Sequence, residues 1–136
     1  MILQVGVKVF LNDTKGRYLF LKRAHPYPGD TECKWDIPGG RINVDEPLVE
    51  ALQREVKEET QLILQKELDL IFAQDIFQGE KHVVRLTYQG KATGQILLDF
   101  KEHQSYQWIE LSQADSLYKD IYLDPVITLL SRKAVS

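Results

Sequence analysis

The sequence predicts an α+β fold, a mixed β-sheet with helices packed on its faces. Three observations predict it. Alternating apolar residues mark more strands than helices along the 136 residues. One strongly amphipathic helix follows a Pro-Gly-Gly turn, and a second apolar helical pattern closes the chain. The length suits one domain over residues 1–136, large enough for a real core and too short for two.

Val5, Val7, Val9 and Leu11 alternate and predict a first strand over Leu3–Leu11. The turn chemistry of Asn12-Asp13-Thr14-Lys15-Gly16 returns the chain through Tyr18-Leu19-Phe20-Leu21 as the second arm of a hairpin. Pro26, Pro28 and Gly29 make Ala24–Lys34 an irregular loop. Trp35-Asp36-Ile37 reads as a short strand stopped by Pro38-Gly39-Gly40. Pro47 suits the first position of a helix running to Thr60, with Asp45 or Glu46 where an N-cap belongs. Leu62–Phe77 reads as extended and irregular, His82–Tyr88 as a strand, Gly90–Gly94 as a turn and Gln95–Leu98 as another strand. Asp99–Ser105 is a polar loop before a strand at Tyr106–Ile109, and Leu111–Leu117 suits a short helix. Asp124-Pro125 opens the last helix, with Val126, Leu129 and Leu130 inward. Arg132 and Lys133 sit near its C-terminal end, where cations are favoured.

Composition is that of a soluble globular protein, with 43% hydrophobic and 27% charged residues. No apolar run approaches the ~18–20 residues needed to span a bilayer. Met1–Val7 reads as a strand and not as a signal peptide, so we expect a cytoplasmic protein. Cys33 is the single cysteine, which excludes an internal disulfide, and it reads as a loop residue without chemistry. His25, His82 and His103 match no zinc spacing. The net charge of −3 argues against nucleic acid or an anionic membrane as partner. An acidic protein acting on a phosphorylated substrate needs local cations to offset the repulsion.

Glu55, Glu58 and Glu59 provide a place for them. They stand at i, i+3 and i+4 and share one side of the helix. On a wheel of about 100° per residue, both later glutamates fall within roughly 60° of Glu55, inside or beside the apolar arc of Leu48, Ala51 and Leu52. Glu50, Gln53 and Lys57 take the opposite, watered side. A merely solvated face would have set the glutamates beside Lys57. Three converging carboxylates repel one another and raise each other's pKa unless a cation joins them. Arg54 balances one charge. Hard oxygen ligands of this kind favour Mg²⁺, with Mn²⁺ as a substitute.

Residues Gly40–Leu62 resemble the Nudix box, in which a glycine, a glutamate and an Arg-Glu-aliphatic-x-Glu-Glu run stand in fixed register. Gly40, Glu46, Arg54, Glu55, Val56, Glu58, Glu59 and Leu62 all fit. The Trp35–Gly39 lead-in and Tyr106-Gln107-Trp108-Ile109-Glu110-Leu111 are also similar to the family. One position departs: Gln61 stands where the box has the glycine that ends the helix. If the left-handed backbone is kept, a glutamine there costs about 1 kcal/mol. Asp45 also fills a position that is often glycine in relatives.

The resemblance implies an α/β/α Nudix-type sandwich with a catalytic loop–helix–loop. It also implies a Mg²⁺-dependent hydrolase that cleaves the pyrophosphate linkage of a nucleoside diphosphate joined to another moiety. ADP-ribose or another nucleotide sugar, a (deoxy)nucleoside triphosphate, a pterin triphosphate and a dinucleoside polyphosphate all stay open as the small-molecule substrate. Glu55, Glu58, Glu59 and the carbonyl of Gly39 are the expected metal ligands. Arg54 is expected to fix the carboxylates or pair with Glu50 and Glu58, and Glu46 to be a structural cap. The general base is either Glu55 or a residue of the loop holding Asp99, Glu102 and His103. Glu102 is the best placed of these, against the competing reading of an exposed loop acid. His103 reads as a structural or substrate-contacting residue. Arg23, Arg85 and Tyr88, with Tyr27 and Phe77, are candidates to hold phosphate or stack on a base. Trp35 and Trp108 read as core or strand residues. Dimers are common among relatives, which leaves a homodimer open.

Three other readings compete. A non-catalytic nucleotide-binding sensor on the same fold usually lacks one or more of the glutamates, and this chain keeps all of them. An isomerase acting on isopentenyl diphosphate requires a catalytic cysteine, and Cys33 lies outside any such arrangement. A purely structural domain does not account for inward carboxylates.

Overall fold

The computed structural model describes residues 1–135. Strand β1 (Ile2–Leu11) is central. Strands β2 (Arg17–Arg23), β3 (Trp35–Asp36) and β4 (Gly39–Arg41) follow, then helix α1 (Leu48–Thr60). Strands β5 (Ile63–Leu64), β6 (Asp69–Gln78), β7 (Lys81–Gly90), β8 (Ala92–Thr93) and β9 (His103–Glu110) come next. The chain ends with α2 (Leu111–Ala114), a 3₁₀ turn at Ile121–Leu123, and α3 (Asp124–Val135). β1 lies parallel to β7 and antiparallel to β4, and β6 closes the far edge antiparallel to β7. A second sheet sets β2 between β3 and β9, both antiparallel, and β5 pairs with β8.

The period of two along β1 and β2 explains the layers. Val7, Val9 and Leu11, with Leu19 and Leu21, pack on Ala51, Leu52 and Val56 of α1. Phe10 and Phe20 face the other way and meet Ile109, Val126, Ile127 and Leu130. Their rings meet edge to face at 6.1 Å. Helix α1 therefore covers one side and α3 the other, which is the expected sandwich.

Several expectations need correction. β1 and β2 are not a hairpin: only the bridge Asn12–Tyr18 joins them before they enter different sheets. The turn itself is as expected, with the Asp13 carboxylate accepting from the backbone N–H groups of Lys15 and Arg17. Both edges of β1, however, are occupied by β4 and β7, which leaves none for β2. The strand at Trp35–Asp36 does stop before Pro38, but Gly39-Gly40 then begin a new strand against β1. At Gly39 the backbone has φ 146°, and a Cβ would collide with the Val7 carbonyl oxygen. Gln95–Leu98 forms no strand. It docks on the end of α1, where the Leu97 N–H donates to the Thr60 carbonyl at 2.9 Å. The last long strand begins at His103 and not at Tyr106. Neither Asp45 nor Glu46 caps α1, because Pro47 occupies the N-cap with extended backbone and no side-chain bond.

Gln61 keeps the conformation of the glycine it stands in for, with φ 64° and ψ 7°, and its N–H closes the helix on the Lys57 carbonyl at 3.0 Å. Gln61→Gly should therefore stabilise the protein by about 1 kcal/mol. Thermal unfolding should show a Tm higher by roughly 2–5 °C; an unchanged or lower Tm would show that the glutamine is unstrained.

Candidate functional site

The end of α1, the β4 turn, the middle of β1 and the start of β9 enclose a cleft of about 540 Å³. Arg54 organises its acidic side. Its Nε and Nη2 donate to the two carboxylate oxygens of Glu46 at 2.7 and 3.0 Å. Nη1 donates to Glu55 at 2.9 Å and reaches Glu58 at 3.3 Å, while Nη2 also donates to the Arg41 carbonyl at 3.0 Å. These hydrogen bonds hold Glu46 down at a pKa of about 2, and they raise Arg54 above its ordinary value. Glu46 is thus an anchor for Arg54, with its Oε1 also accepting from the Asn43 N–H at 2.9 Å. Arg54 does not line the cleft. Its pairings are with Glu46, Glu55 and Glu58, so the expected contact with Glu58 is present.

Glu55 lines the cleft, and burial raises its pKa against the pull of Arg54. Gly40 makes room for it, since a Cβ there would lie 2.6 Å from the carboxyl carbon. Glu59 goes deeper and is only 6% exposed. Its Oε1 accepts from the Gly39 N–H at 2.8 Å, so the glycine turn and the helix end are tied together. Burial pushes the Glu59 carboxyl up to about 8, with Lys8 and the Gly39 bond opposing and Glu55 and Asp36 assisting. Glu58 stands outside, with its side chain 59% exposed, held to the rim by Arg54.

His103 is buried, and its Nε2 lies 3.7 Å from Glu59 Oε2. Burial and the nearby Lys8 charge lower its pKa to about 4, so the ring is neutral at pH 7. Glu59, Glu102 and His103 each offer a ligand atom within 4.8 Å of the others. The cradle at Gly40, the inward carboxylates and the imidazole make a donor set that fits a divalent cation. Gly39 lines the same space and spends its N–H on Glu59.

The opposite wall is basic. Lys8 Nζ pairs with Asp36 at 2.9 Å and donates to the Ile37 carbonyl at 3.3 Å. Burial lowers the Lys8 pKa, but Asp36 more than compensates. Arg85 pairs with Asp120 at 3.0 Å, and Arg23 stacks on Tyr27 at 3.9 Å with a buried Nε that lacks a partner. Tyr88 does not join them. It pairs across from Val9 and sits in the core under α1, 7% exposed, because residues 85 and 88 of one strand face opposite ways. Phe77 is likewise outside the cleft, stacked on His82 at 4.5 Å. Trp35 and Trp108 pack against the two cores, as expected. Sequence reasoning missed Lys8 and the Asp36 and Asp120 pairings. A signal for Lys8 was present: it shares a strand face with Phe10, and a central strand apolar on both faces leaves no watered side.

The direction of the Glu59 shift has a measurable sign. Because its folded pKa is raised, the stability tied to its protonation is complete below the ordinary carboxylate range and disappears as pH rises through about 8. In EDTA, the Tm of the natural chain should fall between pH 6.5 and 8.5, and that of Glu59→Gln should fall distinctly less. The amide keeps an oxygen for the Gly39 N–H. Parallel curves for the two proteins would remove the buried-acid account.

Comparison with known proteins agrees with this geometry. The NUDIX domain family matches residues 2–129. The chain is 40% identical over 73 residues to the human (Homo sapiens) 8-oxo-dGDP phosphatase NUDT18. That match covers 52% of this chain and 21% of the relative, so the chain spans about a fifth of that protein's length. Among solved structures, the MutT protein from Methanosarcina mazei Go1 superposes with a TM-score of 0.82 at 26% identity, covering 99% of this chain and 97% of that one. A C. elegans Ap4A hydrolase shares the fold with a TM-score of 0.69 at 19% identity, over 99% and 98% of the two chains. The fold, the glutamates in register on α1 and the family match over nearly the whole chain place this protein in the Nudix hydrolase family.

Proposed function

We propose that the protein is a Mg²⁺-dependent pyrophosphohydrolase, cleaving a nucleoside diphosphate linked to a second moiety, with Mn²⁺ able to replace Mg²⁺. The observation that carries this reading is the two-sided cleft, in which Glu55, Glu59 and Glu102 face Lys8, Arg23 and Arg85 across one cavity. Hydrolysis of a polyanion needs that combination: acids to hold a cation and bases to hold the remaining phosphate charge. Glu55 and Glu59, with the Gly39 carbonyl and Glu58 at the rim, would hold the ion. When bound, it supplies charge neutralisation at the phosphoryl oxygens and a water of lowered pKa.

The chain's own groups do the rest. Arg54 keeps Glu55 and Glu58 oriented. Arg23 and Arg85 position phosphates, with Arg23 stiffened by its stack on Tyr27. Glu102 is exposed at the mouth of the cleft, beside Glu59 and His103, and takes the proton of the attacking water. The deep half of Glu59's environment favours its neutral form in the metal-free chain, so ion binding displaces a proton from it.

The match to a human 8-oxo-dGDP phosphatase makes oxidised purine nucleoside diphosphates the first substrates to try. Nucleotide sugars, nucleoside triphosphates and dinucleoside polyphosphates follow. A nucleotide sensor without turnover is the second reading, and retention of every box glutamate favours the enzyme. We place the activity in the cytoplasm.

Phosphate release from such a panel, with added phosphatase, Mg²⁺ or EDTA, tests the proposal. We expect one class cleaved well and only with metal. Silence across the panel, with ligand-induced thermal shifts retained, would establish the sensor instead. Glu102→Gln should lower kcat by about 10²–10⁴ with metal affinity largely kept. Near-normal turnover would take the base role from it.

A further inference from the structure

His103 begins β9 and is only 6% exposed; its backbone N–H donates to the Asp99 carbonyl at 3.0 Å, but its ring makes no hydrogen bond among the described residues. Its Nδ1 is buried without a partner. Its Nε2 points toward the Glu59 carboxylate from 3.7 Å, too far for a hydrogen bond. Buried polar groups normally find a partner, so an imidazole whose Nδ1 is sealed off and whose Nε2 is turned into the cleft without a hydrogen bond is available for another contact. The groups facing it are Glu59 from α1, Lys8 from β1, Asp36 from β3, Arg23 from β2, and Asp99 and Glu102 from its own approach.

We propose that His103 Nε2 is a ligand of the cation held by Glu59, so that this site has one nitrogen among its oxygen donors. The inference rests on the metal-dependent reading above and adds to it a preference among ions. Carboxylate and carbonyl oxygens alone suit Mg²⁺, whereas an imidazole nitrogen adds affinity for first-row transition ions, in the order Mn²⁺ below Co²⁺. His103 lies outside the glutamate helix, and its neighbour Glu102 is exposed. The protein should therefore bind Mn²⁺ and Co²⁺ much more tightly than Mg²⁺, and the difference should depend on one side chain.

The test uses the whole protein with Mn²⁺ alone and reads the metal directly. Pulsed electron paramagnetic resonance of bound Mn²⁺, with ¹⁵N-labelled histidine, reports a directly coordinated nitrogen. We expect that coupling in the natural chain and in His25→Ala, which removes the other histidine lining the cleft. It should vanish in His103→Gln. Calorimetry should show that His103→Gln lowers Mn²⁺ affinity by about tenfold or more while changing Mg²⁺ affinity by less than about threefold. Bound Mn²⁺ without nitrogen coupling in the natural chain overturns the proposal and leaves the metal-dependent reading intact, whether or not the variant folds. A coupling lost in His25→Ala overturns it in favour of His25. Failure of Mn²⁺ and Mg²⁺ to bind at all overturns both the ligand assignment and the reading it rests on.

Discussion

The deepest link between the two halves of this site is a hydrogen bond in which the Gly39 N–H donates to the buried Glu59 carboxylate at 2.8 Å. It fixes the last turn of α1 against the β4 turn, and so against β1, the strand that both cores share. A carboxyl group in that position would ordinarily be expelled toward water, because burial penalises its charged form. It stays because the helix that carries it is pinned by Ala51, Leu52 and Val56, each fully buried. Packing thus holds an electrostatically unfavourable group in place, and that group defines the floor of the cleft.

Arg54 solves the complementary problem at the rim. Three carboxylates and a backbone carbonyl share its five donors, and its geometry allows a paired grip on Glu46. Glu46 precedes the helix that carries Glu55 and Glu58 and is linked to both through this one guanidinium. Arg54 itself lies outside the cleft lining and spends its charge on Glu46, Glu55 and Glu58. The cations that line the deep part of the cleft, Lys8, Arg23 and Arg85, are instead supplied by β1, β2 and β7. The two cationic sets are thus separated, Arg54 bracing the acids from behind and the others standing in the cleft wall.

Much of this was legible in the residues. The period of the glutamates against Leu48, Ala51 and Leu52 placed Glu55 and Glu59 inward, and the structure has them there. Glu58, at the edge of that arc, is at the edge of the site as well. Pairing between strands was less legible. A turn sequence reveals that the chain reverses, but not whether an edge of the preceding strand is free to receive it, and β1 had none for β2. The basic wall was half seen. Arg23 and Arg85 were identifiable as charges, whereas Lys8 needed the knowledge that β1 is buried on both faces. Tyr88 was misplaced for want of the strand's own alternation, which sets it opposite Arg85. His103 was named as a structural or substrate-contacting residue but was set inside the polar loop Asp99–Ser105, whereas it starts a strand.

The two ends of α1 bear on how relatives of this chain are recognised. Asp45 and Gln61 both sit at φ near 65°, in positions where a glycine would be expected, and both side chains project into solvent. What those positions require is a backbone shape, and an ordinary residue can adopt it at modest cost. The carboxylates and Arg54 admit no such latitude, because each is defined by what it touches. A signature that insists on the glycines would discard chains such as this one and gain no chemical information by doing so. Spelling tolerance at the turns, with strictness at the acids, gives a search pattern that follows the physics of the site.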